Sequence, residues 1–108
     1  MTEELRRVCA VADVPEDSHM RVDVPGIGAL AVYHVEGRFY VTDDACTHLQ
    51  ASLGDEGYLE GHVVQCTWHN GKFDIRTGEV LGPPCPSPLR TYPVSVRDGA
   101  IFVSTARV

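Results

Sequence analysis

Two short stretches of this chain carry paired thiol and imidazole side chains. The first is the tripeptide Cys-Thr-His at 46–48 and the second is the tetrapeptide Cys-Thr-Trp-His at 66–69. Thiolates and neutral imidazoles bind soft and borderline metal ions such as iron, copper and zinc. The two pairs therefore predict one metal centre formed by two loops, with Cys46, His48, Cys66 and His69 as candidate ligands.

The spacing within the pairs bears on which metal they bind. Zinc would take the same four side chains tetrahedrally, but structural zinc pairs usually have two to four residues between ligands. Only Thr47 separates Cys46 from His48. A one-residue spacing is easier to satisfy when the two side chains reach two metal atoms a few ångströms apart, as in a two-iron two-sulfur cluster with mixed ligands. The third interpretation, four unrelated core residues that bind no metal, accounts poorly for the pairing.

Short apolar runs separated by turn residues make up the rest of the chain. Met20, Val22 and Val24 alternate with charged residues, which is the period of a half-buried strand. The other predicted strands are 8–11, 29–35, 39–42, 58–59, 62–65, 72–75, 79–81, 89–96 and 100–104. Residues 54–57 are predicted as an acidic loop, 82–88 as a stiff proline-rich loop, and Asp98-Gly99 as a tight primed turn. The fold class is therefore all-β, an antiparallel sandwich or small barrel.

The length of 108 residues is that of one domain. Within residues 1–108, the stretch that bears the candidate ligands, about 43–82, resembles a subdomain inserted into a basal domain formed by 1–42 and 83–108. Cys9 lies in an apolar run and is predicted to be a small buried core residue.

Charge and hydropathy exclude several classes of function. The formal net charge is -6, and no Lys or Arg occurs between Phe39 and Gly71. Because binding to a phosphate backbone needs clustered cations, we expect no nucleic-acid partner. No apolar run approaches the roughly 20 residues that span a bilayer, so we expect no membrane association. The acidic start of the chain lacks the apolar core of a secretory signal, so the expected location is the cytoplasm.

The ligand pattern resembles that of the Rieske two-iron two-sulfur proteins, in which Cys-x-His is followed by Cys-x-x-His-x-Gly and then a proline-rich loop. The resemblance covers the whole chain and implies a Rieske fold, with a small cluster-binding β subdomain inserted in a basal β domain. It implies one 2Fe-2S cluster, with Cys46 and Cys66 on one iron and His48 and His69 on the other. Hydrogen exchange on the apo protein should then show residues 43–82 loosened more than the basal strands.

The protein groups that surround the cluster determine the reduction potential that we expect for it. Rieske proteins of respiratory chains carry a disulfide between the two loops, and hydroxyl groups that donate hydrogen bonds to the cluster. The matching residues here are Ala51, Trp68, Gly71 and Phe73. Because none of these can form the disulfide or donate a hydroxyl hydrogen bond, we expect a potential near the lower end of the Rieske range, which runs from about -150 to +300 mV.

The resemblance implies an electron-storing centre, but the sequence has no nucleotide fingerprint and no two-His-one-carboxylate triad. It is similar to the ferredoxin components of bacterial aromatic ring-hydroxylating dioxygenases. That resemblance implies a one-electron carrier between a flavoprotein ferredoxin reductase and a terminal oxygenase, and no enzymatic activity of its own. The alternative is a Rieske-like small subunit of a larger reductase, such as assimilatory nitrite reductase.

Electron transfer requires the histidine edge of the cluster to approach the partner's cofactor. The residues around His48 and His69 should therefore form the docking face, with acidic Asp55 and Glu56 steering the partner at its rim. The expected docking residues are Leu49, Gln50, Trp68, Pro83 and Pro84.

Overall fold

The computed structural model describes residues 5–44, 52–65, 71–82 and 89–104. Within these ranges there are eleven strands: β1 Leu5–Ala10, β2 Ser18–Val24, β3 Gly28–Val35, β4 Arg38–Asp43, β5 Tyr58–Glu60, β6 Val63–Gln65, β7 Lys72–Asp74, β8 Val80–Gly82, β9 Thr91–Tyr92, β10 Val94–Arg97 and β11 Ala100–Ser104. They form three antiparallel sheets, with the strand orders β1-β11-β10, β2-β3-β4-β9 and β5-β6-β7-β8. We call the three sheets the basal, middle and small sheets, in the order given.

Strand β3 lies at the centre of the fold and is buried on both faces. Because successive side chains of a strand point to opposite faces, its residues divide between two hydrophobic cores. Leu30 and Val32 belong to the core shared with the basal sheet. Ala31, Tyr33 and Val35 belong to the core shared with the small sheet. The middle sheet is therefore covered on both sides, which explains the uninterrupted apolar run in β3.

Several elements confirm the sequence prediction. Strand β2 pairs with β3 along its whole length, and Met20, Val22 and Val24 are more buried than Arg21 and Asp23 between them. The last two strands pair from Val94 opposite Val103 to Arg97 opposite Ala100. Asp98 and Gly99 between them both have positive φ, 51° and 75°, as a primed turn requires.

The single strand predicted over 89–96 is wrong. Residues Thr91–Tyr92 pair with β4 in the middle sheet, whereas Val94–Arg97 pair with β11 in the basal sheet. Pro93 lies between the two segments and has no N–H to offer to either ladder. The chain therefore changes sheets at this proline.

Two other boundaries also differ from the prediction. Strand β1 spans Leu5–Ala10, and Val11–Asp13 forms a single 3-10 turn, so the strand begins earlier and ends sooner than the predicted 8–11. The loop predicted over 54–57 is largely a one-turn helix, α1 Leu53–Glu56, which begins one residue before it.

No helix in the described ranges is long and apolar enough to cross a membrane.

Candidate functional site

The nine residues predicted to bind the metal or a partner lie outside the described residues. They are Cys46, His48, Leu49, Gln50, Cys66, Trp68, His69, Pro83 and Pro84. Of Asp55 and Glu56, only the main chain within α1 is described. The structure does describe the residues on either side of the two ligand pairs, and these show how the two segments are anchored.

The base of the first ligand segment is closed by main-chain hydrogen bonds. The Leu53 N–H donates to the Asp44 carbonyl at 2.8 Å, so the chain before and after residues 45–52 is held together. The Asp44 N–H in turn donates to the Ala29 carbonyl at 3.1 Å. The first ligand segment is thus anchored to β3, the central strand of the fold.

The Asp44 side chain explains why α1 forms. It is 4% exposed, and its Oδ1 accepts a hydrogen bond from the Gly54 N–H at 2.7 Å. Asp44 thus satisfies the first two N–H groups of α1, which a helix leaves without internal partners. The Gly54 carbonyl accepts a hydrogen bond from His19 Nδ1 at 2.9 Å. Helix α1 therefore depends on contacts with residues far from it in sequence.

Sequence reasoning missed Asp44 and Gly54 as residues that support the site. Gly54 packs directly against the main chain of β2, because a Cβ built on it would lie 2.5 Å from the Arg21 nitrogen. The only sequence signal was an acidic residue placed between a strand and the first ligand pair. Such a residue is more often exposed, so the signal was weak.

The base of the second ligand segment lies at one end of the small sheet. Gln65 pairs with Lys72, and Lys72 pairs with Gly82 on its other side. Strand β7, which follows residues 66–70, is therefore flanked by β6 on one side and by β8 on the other. Strand β8 is the one that precedes the proline-rich segment. The chain resumes after that segment at Leu89, whose N–H donates to the Gly78 carbonyl at 2.9 Å.

One hydrophobic core joins the two bases. Leu53 from α1, Val64 from β6 and Phe73 from β7 are each fully buried in the same cluster. Phe73 is one of the residues that match the disulfide and hydroxyl positions of respiratory Rieske proteins, and its ring has no hydrogen-bonding group to offer. Both ligand segments therefore begin or end beside the same hydrophobic core. This arrangement suits the fold to a metal centre that takes ligands from both segments.

Outside the two pairs, the described residues Cys9, His34 and His62 are each held by contacts with neighbouring protein groups. Cys9 is buried in the core as predicted, and burial raises the pKa of its thiol, which disfavours the thiolate that binds metals. His34 Nδ1 donates to the Val14 carbonyl at 2.8 Å. His62 lies edge-on to the Tyr40 ring. Within the described ranges no group of three or more potential metal ligands occurs. The donor set predicted from the sequence, two thiolates and two imidazoles from the two pairs, lies outside these ranges and stays a prediction.

Tyr92 should make stability pH-dependent at alkaline pH. Its hydroxyl donates to Asp43 Oδ1 at 2.6 Å, and burial together with this hydrogen bond and the Asp43 charge raises its pKa to about 12. In the unfolded chain the pKa is about 10. The folded state thus holds this proton more tightly, and the resulting stabilisation is complete below about pH 10 and is lost as the pH rises through about 12.

We therefore expect Tyr92→Phe to lose less stability than the wild type between about pH 10 and 12, measured by urea unfolding. Tyr58→Phe is the control, since Tyr58 is 57% exposed. A parallel loss of stability in Tyr92→Phe and wild type would contradict the assignment.

Comparisons with known proteins identify the family of this chain. The sequence profile of the Rieske [2Fe-2S] domain matches residues 4–93. The ferredoxin component of the p-cumate 2,3-dioxygenase system of Pseudomonas putida is 50% identical, over 93% of this chain and 85% of its own. The ferredoxin of Sphingomonas yanoikuyae B1 superposes with a TM-score of 0.89 and 41% identity, covering 95% of this chain and 100% of that one.

A further solved structure is a complex of reduced oxygenase and oxidized ferredoxin in carbazole 1,9a-dioxygenase. One of its chains matches with a TM-score of 0.86 and 39% identity, over 96% of this chain and 95% of that one. These matches confirm the predicted all-β Rieske fold and the predicted cofactor, one Rieske-type 2Fe-2S cluster. The chain belongs to the Rieske [2Fe-2S] domain family.

Proposed function

We propose that this protein carries single electrons from a flavoprotein ferredoxin reductase to the terminal oxygenase of an aromatic ring-hydroxylating dioxygenase system, and that it catalyses no reaction itself. The observation that carries the proposal is the 50% identity, over 93% of the chain, to a ferredoxin component of such a system. A similar chain also occurs in a complex of oxidized ferredoxin with reduced oxygenase.

In this proposal Cys46 and Cys66 hold one iron of the cluster and His48 and His69 hold the other. The cluster supplies a centre that accepts and returns one electron. The described residues contribute the support of the two ligand segments. Asp44 and the Leu53 N–H close the first segment, the pairing of Gln65 with Lys72 closes the second, and the Leu53–Val64–Phe73 contact joins the two bases.

We further infer that residues 1–108 are a single Rieske domain in which about 43–82 form the cluster-binding subdomain, and that the protein works in the cytoplasm. The small sheet and α1 belong to this stretch and share a core with β3, which supports a subdomain packed onto the middle sheet. A buried free thiol at Cys9 is compatible with a reducing compartment.

The proposed docking face consists of Leu49, Gln50, Trp68, Pro83 and Pro84, with Asp55 and Glu56 at its rim. Two described apolar side chains extend it. Tyr58 is 57% exposed and Leu81 is 47% exposed, and both line a groove on the outer face of the small sheet. Gln65 and Lys72 line the same groove, and they are the residues at which β6 ends and β7 begins. The groove thus adjoins the base of the second ligand segment.

Replacing Tyr58 or Leu81 with serine should weaken binding to the cognate terminal oxygenase. Removal of one interface anchor costs about 1 kcal/mol or more, so the KM for the ferredoxin should rise roughly fivefold at unchanged cluster content. The matched control is Val96→Ser, because Val96 is 52% exposed but lies in the basal sheet. If all three variants behave alike in steady-state turnover, the groove has no part in docking.

A reconstitution experiment tests the proposed function itself. Purified holoprotein should be reduced by NADH through a catalytic amount of the reductase and reoxidised by the terminal oxygenase in the presence of aromatic substrate and oxygen. Failure of both half-reactions would overturn the proposal. Reoxidation only by a nitrite-reducing subunit would support the alternative reductase subunit instead.

A further inference from the structure

Asp44 is a buried acidic residue two positions before the proposed ligand Cys46. Its side chain is 4% exposed, and no other acidic or basic residue in the described ranges is buried. It precedes the proposed ligand Cys46 by two positions, so the two Cα atoms lie within about 7 Å of each other. A buried charge is screened by salt much less than an exposed one, so its effect on a neighbouring centre should persist at high ionic strength.

The surroundings of Asp44 leave its negative charge incompletely balanced. Oδ1 accepts the Gly54 N–H, and Oδ2 lies 3.8 Å from Arg21 Nε, which is beyond a normal hydrogen bond. Arg21 contacts Asp23 more closely, at 3.1 Å from Nη2 to Oδ1, and its side chain is 41% exposed. Arg21 therefore does not belong to Asp44 alone, because Asp23 contacts the same guanidinium at a shorter distance.

We propose that Asp44 is a positioning residue that anchors the first ligand segment through Gly54 and also lowers the reduction potential of the cluster through its buried charge. The inference rests on the proposed ligand set. Reduction adds one negative charge to the cluster, and a nearby buried negative charge raises the energy of the reduced form. Structural anchoring alone would need only the oxygen atom that Gly54 contacts, whereas the effect on the potential needs the charge.

The Asp44→Asn variant separates the two roles. Asparagine keeps an oxygen that accepts the Gly54 N–H but removes the charge. In a potentiometric titration of the holoprotein, the equilibrium constant for reduction should rise at least threefold, which is about 28 mV at 59 mV per tenfold change. The shift should persist at about 1 M salt because the site is buried. Asp44→Ala should show the same shift and also lose its cluster absorbance at a lower temperature.

Two further variants act as controls. Asp23→Asn removes an exposed charge from the same group, since the Asp23 side chain is 73% exposed, and its smaller shift should vanish at high salt. Arg21→Gln removes the shared counter-charge and should shift the potential in the opposite direction to Asp44→Asn, which keeps the proposal testable if the Asp44 variants do not fold.

An unchanged potential in Asp44→Asn would overturn the inference, and so would a shift that high salt removes. If Asp44→Asn does not fold, an unchanged potential in Arg21→Gln overturns it. Failure of the wild type to bind a cluster would refute the proposed function instead, so the two failures are distinguishable.

Discussion

Replacing Gly54 with alanine is expected to lower the free energy of unfolding by about 3 kcal/mol. The added Cβ would lie 2.5 Å from the Arg21 nitrogen, 2.7 Å from the Arg21 Cα and 2.7 Å from the Met20 carbonyl carbon. All three atoms belong to the main chain of β2, which is paired with β3 and cannot shift without disturbing the middle sheet. The helix α1 must move away instead.

Movement of α1 would break the contacts that anchor the first ligand segment. Gly54 would lose its hydrogen bonds to Asp44 and His19, and Leu53 would be pulled from the core that joins the two bases. We therefore expect Gly54→Ala to lose iron more readily than the wild type as well as to unfold at lower urea concentration. Urea titration and iron analysis measure the two effects.

Gly37→Ala is the control for Gly54→Ala. A Cβ at Gly37 would have no neighbour within 4 Å, and its φ of +76° costs an alanine only about 1 kcal/mol. Equal losses of stability in the two variants would show that packing of α1 on β2 is not required.

Replacing Cys66 with serine is expected to remove the cluster. Serine is a poor ligand for iron where a thiolate is required, so iron content and visible absorbance should fall at least roughly tenfold in the purified protein. Because the cluster would cross-link the two ligand segments, its loss should also increase the chain entropy of residues 43–82. The basal core around Leu30, Val32 and Ile101 should remain folded, since it shares no residue with the core beneath the ligand segments.

Cys9→Ala is the matched control for Cys66→Ser. Cys9 is a buried thiol in the basal core, so its replacement removes a small volume but no proposed ligand. Its iron content should equal that of the wild type. Full iron content in Cys66→Ser, or loss of iron in Cys9→Ala, would contradict the proposed ligand set.

The parts of the fold that could be predicted from sequence are those that local patterns determine. The alternation in β2 and the Asp98-Gly99 turn both follow from neighbouring residues, and the structure confirms them. The change of sheet at Pro93 was missed because a strand pattern continues through 89–96. Pattern alone does not indicate that the residues before and after the proline pair with different partners.

The same limit applies to the candidate site. The four candidate ligands could be named because thiol and imidazole side chains rarely occur in two such closely spaced pairs unless they bind a metal. Helix α1 could not be predicted, because its first two N–H groups are satisfied by Asp44 and its glycine fits against the Arg21 main chain. These contacts join residues that are distant in sequence. The support of the site therefore became visible only in the folded chain.

The measurement that tests the central claim most directly is the electron paramagnetic resonance spectrum of the purified protein after reduction with dithionite. A two-iron two-sulfur cluster with two Cys and two His ligands predicts a rhombic signal with the low average g value of Rieske centres. A signal with the higher average g value of an all-cysteine cluster would contradict the histidine ligands. A colourless protein without any signal would contradict the cluster itself and restore zinc as the metal.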